Sequence, residues 1–393
     1  MNDPIVIVSA MRTPMGGFQG SLASQTAPEL GAVAIKAAVA SAGLTPDDIQ
    51  EVFMGNVLPA GLGQAPARQA SLGAGLPLST GCTTISKVCG SGMKAAMLAH
   101  DLLLAGTNQV MVAGGMESMS NAPYLLPKAR AGMRLGHAQA LDHMFLDGLE
   151  DAYDKGRLMG TFAEDCAEKF GFTREQQDAF AITSLKRAQQ AIETGRFKPE
   201  IAPVTVRGRA GEAVVERDEQ PFNANIGKIP SMRPAFRKDG TVTAANSSSI
   251  SDGAAALVMM RRSEAARRGI KPRAMILGHT THAQKPGWFT TAPVAAMGKL
   301  LERLNWRADE VDLYEINEAF AVVTMVAMQS LNLPHDIVNV HGGACALGHP
   351  IGASGARILV TLISALEQRG LKRGIASLCI GGGEATAMAV EII

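Results

Sequence analysis

Residues 83–115 read TTISKVCGSGMKAAMLAHDLLLAGTNQVMVAGG, and this stretch decides the fold. Residues 83–88 are rich in β-branched and apolar side chains, as strands are. A glycine turn around Cys89 follows, and residues 92–105, rich in Ala, Leu and Met, predict a helix. Residues 109–113 form a second apolar run that ends in two glycines. Strand, helix and strand in this order predict a helix-covered, mainly parallel sheet.

The same order of elements occurs twice in the chain. In the first half, residues 5–9 and 51–57 predict strands, and residues 29–42 predict the helix between them. In the second half, residues 273–277, 309–317 and 374–380 predict strands, and residues 292–304 and 354–368 predict helices. Any α/β chain shows such alternation, but the matched glycine turns favour two similar halves with a shared cleft.

Residues 119–248 differ in character from both halves and carry most of the long charged runs. They include a predicted amphipathic helix at residues 173–194, with Thr173 as N-cap and Gln176 at the capping-box position. We interpret them as a lobe inserted over the cleft; a solvated excursion without a role is the alternative. The predicted division is therefore residues 1–118 plus 249–271, the insertion 119–248, and residues 272–393.

The composition limits the possible partners. The chain has 393 residues, of which 47% are hydrophobic and 19% charged, and its formal net charge is +1. Such a chain produces no global field that would attract nucleic acid or an anionic membrane, so we expect neither as a partner. Neither a signal peptide nor an apolar run of spanning length is evident.

The cysteines indicate the redox environment. They are Cys82, Cys89, Cys166, Cys345 and Cys379, an odd number without a Cys-x-x-Cys pair. No histidine cluster has metal-ligand spacing in the sequence. We therefore expect free thiols, no bound metal and a cytoplasmic location.

Two residues on glycine turns are candidates for nucleophilic chemistry. Cys89 directly precedes a predicted helix, where free backbone N–H groups are expected to stabilise a thiolate. His349, in the turn GHPIG at 348–352, could accept the proton of that thiol. A buried structural cysteine and an ordinary turn histidine are the alternatives for these two residues.

A second group of candidates could handle protons and oxyanions. Cys379 ends a predicted strand before three glycines and could act as acid and base, with the Gly381 amide as an oxyanion donor. Asn317 could hold a water or an oxyanion; alternatively it caps a helix that starts at Glu318. A structural cysteine is the alternative for Cys379.

Six segments together resemble the thiolase family, and the resemblance covers essentially the whole chain. They are VCGSGMKA at 88–95, GGMESMS at 114–120, TVTAAN at 241–246, NEAF at 317–320, GHPIGASG at 348–355 and CIGGG at 379–383. The resemblance implies an α/β thiolase fold: two similar α/β/α/β/α halves that form a five-layered core, with an inserted loop domain that binds coenzyme A. It also implies a homotetramer built from tight dimers.

The resemblance further implies an activity, the reversible Claisen condensation of two acetyl-CoA molecules to acetoacetyl-CoA and CoA. Cys89 would carry the acetyl group, and His349 would be the base that activates Cys89. Cys379 would remove the α-proton of the second acetyl-CoA. Asn317 would hold a water in one oxyanion hole together with His349, and the amides of Cys89 and Gly381 would form the other. Coenzyme A thioesters are the expected substrates, and no cofactor is expected.

The resemblance also places coenzyme A. Lys228 would lie near its nucleotide, although a solvated surface charge is the alternative for this lysine. Ser248 would contact the pantetheine arm, Ala319 and Phe320 would line the tunnel, and Met159 completes the expected contacts.

Three positions depart from the family pattern or only partly match it. Arg157-Leu158-Met159-Gly160 lacks a histidine that many relatives have before the Met-Gly pair. Phe289 stands where relatives close the acyl pocket, which favours a short-chain substrate. Four residues partly resemble a potassium shell, from which we predict no bound ion; they are Tyr153, Ala244, Ala245 and Ser247.

Other functions remain open on sequence grounds. A 3-ketoacyl-CoA thiolase for longer chains is the nearest alternative. A ketoacyl synthase is disfavoured, because such enzymes lack a second cysteine before a triple glycine. A non-catalytic, thiolase-like lipid carrier would be expected to lack Cys89, His349 or Cys379, all of which are present.

Overall fold

The computed structural model describes residues 3–208 and 211–393. Its strands are β1 (Ile5–Arg12), β2 (Gly16–Gly17), β3 (Glu51–Gly55), β4 (Gly81–Ile85), β5 (Val110–Ser118), β6 (Tyr124–Leu125), β7 (Leu141–Asp142), β8 (Val204–Gly208), β9 (Gly211–Val215), β10 (Ser251–Arg261), β11 (Ala274–Ala283), β12 (Leu313–Ile316), β13 (Arg373–Ile380) and β14 (Glu384–Ile392). Its helices are α1 (Ala27–Ser41), α2 (Pro66–Gly73), α3 (Ser91–Ala105), α4 (Met159–Phe170), α5 (Arg174–Glu193), α6 (Gln220–Asn223), α7 (Arg262–Arg267), α8 (Ala292–Leu304), α9 (Ala321–Leu331), α10 (Ala344–Leu347) and α11 (Ser354–Arg369).

The main sheet has the strand order β12-β13-β14-β11-β1-β10-β5-β3-β4, and β2 pairs with β10. Among the described residues, the parallel pairs in this sheet are β3–β4, β3–β5 and β12–β13, and its other neighbours run antiparallel. The prediction of a mainly parallel sheet is therefore wrong. The difference arises from β10 and β14, which the predicted strands do not include and which bring antiparallel neighbours into each half.

The two halves of this sheet form two layers, and the helices outside and between them form the other three. Helices α1 and α2 cover the outer face of the first half, and α8 and α9 cover the outer face of the second. Helices α3 and α11 lie between the two halves and share one apolar core with strands of both. Helix α11 is buried continuously from Ser354 to Leu366, as expected for a helix with sheet on two sides. The predicted five-layered α/β core is confirmed.

Glycines set how closely the helices of the central layer approach the sheet and each other. A Cβ added to Gly115, inside β5, would lie 2.0 Å from the carbonyl oxygen of Gly352. A Cβ on Gly355, in α11, would lie 2.4 Å from the backbone nitrogen of Met93 in α3. Because the blocking atoms belong to backbone, a side chain at either place would force whole elements apart.

The insertion packs against the second half. Helix α5 begins with the predicted capping box, in which the Thr173 side chain accepts from the Gln176 amide. Its residue Leu185 shares an apolar cluster with Leu347 of α10. Ser184 in α5 donates to the buried carboxylate of Glu318 at 2.7 Å. The division of the chain into three segments stays a prediction. None of the described helices combines the length and apolarity needed to span a bilayer.

We expect Gly115→Ala to lower the free energy of unfolding by about 3 kcal/mol, the upper end of the usual overpacking range, because the clash is with backbone. Gly298→Ala is the matched control, since Gly298 lies inside α8 and nothing surrounds its added Cβ within 4 Å. That substitution should raise the free energy of unfolding by up to about 1 kcal/mol. Denaturant unfolding of both variants checks this; equal effects would contradict the close-approach argument.

Candidate active site

Cys89 lies on a tight turn that leads into α3. Val88, immediately before it, has φ 45°, a left-handed conformation that is strained for a β-branched residue. The turn is closed by hydrogen bonds from the amides of Gly90 and Ser91 to the carbonyls of Lys87 and Val88. The Ser91 hydroxyl also donates to the Val88 carbonyl at 2.6 Å. These contacts fix the backbone that presents the Cys89 sulfur.

The surroundings of Cys89 are apolar. The residue packs against a cluster that includes Leu58, Met144 and Ile351. Burial raises the pKa of the Cys89 thiol to about 11, and the opposing effect of the Gly381 backbone amide is smaller. Backbone amides favour the thiolate, as expected, but burial outweighs them, so the resting protein holds Cys89 as a thiol. The thiol needs a base before it can act as a nucleophile.

His349 is positioned by its neighbours on both sides of the ring. Its backbone amide donates to the Ser249 carbonyl at 3.1 Å. Its Nδ1 lies 2.5 Å from the Ser354 Oγ, and that hydroxyl donates to the Pro350 carbonyl at 3.0 Å. We assign the one hydroxyl proton to the Pro350 carbonyl, so the hydroxyl oxygen accepts from Nδ1–H of the imidazole. The Nε2 atom of His349 therefore carries a lone pair.

The protonation state of His349 agrees with this tautomer. Burial, with a smaller contribution from the charge of Arg357, lowers the pKa of His349 to about 3. The ring is thus neutral across the physiological pH range. Its Nε2 lies 3.4 Å from the Nδ2 of Asn317, so the basic lone pair of the imidazole lies next to a side-chain amide donor.

Asn317 follows β12 and is fully buried. Its backbone amide donates to the carbonyl of Ser377, on the neighbouring strand β13, at 3.0 Å. Helix α9 begins at Ala321 with Phe320 as its N-cap, so the alternative that Asn317 caps this helix is wrong. Its Oδ1 atom is buried and accepts no hydrogen bond within the described residues. The side chain is therefore available to a bound group.

Cys379 is the penultimate residue of β13 and lies in an apolar cluster with Phe320 and Phe289. Burial raises the pKa of this thiol well above its ordinary range, and the proximity of Cys89 raises it further. Gly382 and Gly383, just beyond it, both have φ 90°. The structure therefore brings Cys89, Cys379 and Gly381 together, on loops that are remote in the sequence.

Two adjoining cavities lead to His349. The first has a volume of about 320 Å³, and its lining includes His349, Met159, Ser248 and Phe320. The second has a volume of about 310 Å³ and includes Lys228 in its lining. The two cavities share Ala244 and Ser249, so they form one path from the surface to the imidazole.

The residues expected to contact coenzyme A thus distribute along one path. Met159, Ser248 and Phe320 line its inner part, and Lys228 is exposed in its outer part. Ala319 does not itself line either cavity, but its carbonyl accepts from the backbone amide of the lining residue Ser248 at 3.0 Å.

The departures from the family pattern have defined places. The guanidinium of Arg157 lies 3.8 Å from the centroid of the Phe162 ring and donates to the Thr161 hydroxyl, so it packs along α4. Phe289 is buried, and its ring meets that of Phe162 edge-on. Tyr153 is 74% exposed.

Sequence reasoning assigned no role to Glu117, although it lies in the segment GGMES. This fully buried carboxylate accepts four hydrogen bonds, from the Asn56 side chain and from the amides of Val57, Leu58 and Gly352. Burial raises its pKa to about 7 despite these four donors. Glu117 thereby links the loop after β3 to the turn that carries His349. A carboxylate in an apolar, glycine-rich strand end was the available signal.

Comparison with known proteins identifies the family. The description "Thiolase, N-terminal domain" matches residues 5–263, and "Thiolase, C-terminal domain" matches residues 270–392. An acetyl-CoA acetyltransferase of Schizosaccharomyces pombe is 50% identical over 394 residues, covering 100% of this chain and 99% of the relative. Acetyl-CoA acetyltransferase 2 of Arabidopsis thaliana is 51% identical over 393 residues, covering 99% and 97%.

A solved structure shows the same fold. The crystal structure of Acat5 thiolase from Ascaris suum in complex with coenzyme A has a TM-score of 0.94 and 41% sequence identity, and the match covers 99% of this chain and 100% of that one. The protein described here belongs to the thiolase family.

We expect Glu117→Gln to lower the free energy of unfolding by about 2 kcal/mol, because the amide group would face two of the four donors and leave them unpaired. Glu51→Gln, at a half-buried carboxylate on β3 that accepts from Asn108, is the matched control and should change it by less than about 0.5 kcal/mol. Chemical denaturation of the three proteins measures both effects. Equal stability of wild type and Glu117→Gln would remove Glu117 from this role.

Proposed function

We propose that the protein is an acetyl-CoA C-acetyltransferase, which condenses two acetyl-CoA molecules reversibly to acetoacetyl-CoA and CoA through an acetyl-cysteine intermediate. The observation that carries this proposal is the proximity of two thiols, Cys89 and Cys379, together with the paired His349 imidazole and Asn317 amide at a cavity that His349 lines. Cys89 packs against Ile351, two residues from His349. The relatives named above, matched over their full lengths, support the same activity.

In the first half-reaction, the Nε2 of His349 accepts the proton of the Cys89 thiol. The thiolate attacks the acetyl carbonyl carbon, and the carbon–sulfur bond to coenzyme A breaks. The amides of Cys89 and Gly381 stabilise the developing oxyanion. The departing CoA thiolate takes the proton of Cys379. Acetyl-Cys89, an imidazolium and a Cys379 thiolate result, so charge and protons balance.

In the second half-reaction, the Cys379 thiolate removes an α-proton from the methyl group of a second acetyl-CoA. The enolate oxygen is held by the imidazolium Nε2–H and by a water that Asn317 orients. The enolate carbon attacks the acetyl-Cys89 carbonyl, and the carbon–sulfur bond to Cys89 breaks. Cys89 recovers its proton from His349. All three residues return to their starting states, and thiolysis is the same sequence reversed.

The path of two cavities suits an elongated thioester. Lys228 would meet the charged nucleotide end of coenzyme A, and Ser248 would contact the pantetheine arm. Met159 and Phe320 would enclose the acyl end, with Ala319 supporting Ser248 through its carbonyl. The buried Phe289, which shares an apolar cluster with Cys379, would favour a short chain. We further propose a homotetramer built from two dimers, a cytoplasmic location and a place in fatty-acyl metabolism. An acetyl-CoA acetyltransferase of Gibberella zeae that is named cytosolic, and is 49% identical over 390 residues, supports the location.

Acetylation tests the proposal directly. Incubation with acetyl-CoA should add about 42 Da to the wild-type chain, the mass of one acetyl group in place of a proton. Cys89→Ala should lose this adduct, because the nucleophile is absent. Cys379→Ala should keep it, because solvent can protonate the departing CoA thiolate, and it should lose condensation, because no base removes the α-proton. Intact-protein mass spectrometry and an acetoacetyl-CoA assay measure the two outcomes.

An unmodified wild-type chain would contradict the proposal and favour a carrier. Condensation by Cys379→Ala would remove that thiol from the mechanism. Thiolysis that is faster with chains beyond four carbons would instead favour the longer-chain 3-ketoacyl-CoA thiolase.

The tautomer of His349 makes a further prediction. Ser354→Ala should slow acetylation of Cys89 by about 10-fold, because Nδ1–H loses its partner and Nε2 is no longer fixed as the basic atom. Ser377→Ala, at a buried serine that donates to the Thr386 carbonyl, is the matched control and should leave the rate within about 2-fold.

The pH dependence of acetylation gives a second readout. In the wild type, the lowered pKa keeps His349 neutral, so the rate should not fall around pH 6.5, where an ordinary histidine becomes protonated. A wild-type rate that halves near pH 6.5 would contradict this assignment.

A further inference from the structure

Three potential metal ligands meet where α3 passes β11. His100 and Asp101 lie near the end of α3, and His279 lies on β11. The Nε2 of His279 is 3.0 Å from the Oδ1 of Asp101 and 3.3 Å from the Nδ1 of His100, and the latter two atoms are 3.1 Å apart. In the described parts of the chain, no other three His, Cys, Asp or Glu side chains bring potential ligand atoms this close.

This triangle has the dimensions of one face of a coordination sphere. Nitrogen and oxygen ligands lie about 2.0–2.1 Å from a divalent transition-metal ion. Two ligands at that radius are separated by about 3.0 Å at an octahedral angle and about 3.4 Å at a tetrahedral angle. The three measured edges, from 3.0 to 3.3 Å, fall within this interval.

Hydrogen bonding alone satisfies the triangle poorly. If both imidazoles donate to the single Oδ1 of Asp101, two N–H groups face each other across 3.3 Å. If one imidazole instead presents a lone pair, that ring loses its bond to the carboxylate. A cation at the centre of the face lets all three atoms act as electron-pair donors.

The surroundings of the triangle suit a bound ion. The side chains of His100 and His279 are 11% and 13% exposed, whereas that of Asp101 is 54% exposed. Two ligands are therefore held in place by packing, and the outer side remains open to water as the further ligands. Lys94, one positive charge on the same helix, opposes binding. None of the three residues lines the two cavities that lead to His349.

We propose that His100, Asp101 and His279 bind one divalent transition-metal ion, of the zinc or cobalt type, through two imidazoles and one carboxylate. Such a ligand set, with open positions, is suited to first-row metals. The ion would connect α3 of the first half to β11 of the second. These halves otherwise meet in the sheet through a short pairing of β1 with β11, at Val6–Met275 and Ile7–Ala274. Binding would therefore stabilise the folded chain.

Metal titration tests this site independently of the proposed reaction. The full chain is stripped with a chelator and titrated with Co²⁺, whose visible d–d absorption reports the geometry, and with Zn²⁺ by calorimetry. One ion should bind per chain, and the melting temperature should rise with free metal. Since loss of a residue that only orients a ligand weakens metal affinity by about 10–100-fold, Asp101→Ala and His279→Gln should each weaken it at least 10-fold.

The variants are chosen to preserve the fold. Asp101 is half-exposed on a helix, where alanine is the most favourable residue. Circular dichroism and the metal-free melting temperature of each variant verify folding. His137→Ala is the matched control, since His137 is exposed in the insertion, and it should bind metal like the wild type.

The thiols are the competing site, and cobalt distinguishes them by its thiolate charge-transfer absorption. Metal binding that is unchanged in Asp101→Ala and His279→Gln would overturn the proposal, whether or not that absorption is present. Failure of the stripped wild-type chain to bind either metal would overturn it as well.

Discussion

The contact between Gly115 and the Gly352 carbonyl is the constraint on which the site depends. It fixes the depth at which the turn between His349 and α11 lies against β5 of the other half. Glu117, two residues further along β5, accepts from the Gly352 amide on the same turn. The first half of the chain, which carries Cys89, thereby also positions His349 of the second half. Gly115, Gly352 and Glu117 thus set the position of this turn against β5 through backbone contact and a hydrogen bond, which are more directional than apolar contacts.

The electrostatics of the site follow from its depth. Raising the pKa of Cys89 to about 11 corresponds to roughly 3 kcal/mol against the thiolate, whereas a helix N-terminus contributes about 0.3–1 kcal/mol in its favour. Burial therefore wins, and both thiols and the imidazole are uncharged at rest. Charges would form only when a thioester fills the cavity and its oxyanion donors are engaged. A neutral resting site also protects the cysteines from oxidation, which acts on thiolates.

Much of this architecture could be predicted from local patterns. Glycine turns after apolar runs located Cys89 and Cys379, and a capping box located the start of α5. The antiparallel strands β10 and β14 escaped prediction, because their alanine-rich runs AAALVMM at 254–260 and ATAMAV at 385–390 have low strand propensity and match a buried helix as well as a strand. Long-range polar contacts were equally invisible. The four donors around Glu117 come from places up to 235 residues away, and His279 lies 178 residues from Asp101. Such contacts depend on tertiary packing, which single-sequence reasoning does not reach.

The left-handed conformation of Val88 has a consequence for the stability of the fold. Holding a β-branched residue there costs roughly 1–2 kcal/mol, and glycine at the same position would avoid it. Glycine would also loosen the backbone beside the sulfur, because it has no Cβ to restrict φ and ψ. The valine therefore exchanges durability of the whole chain for stiffness at the turn that presents Cys89.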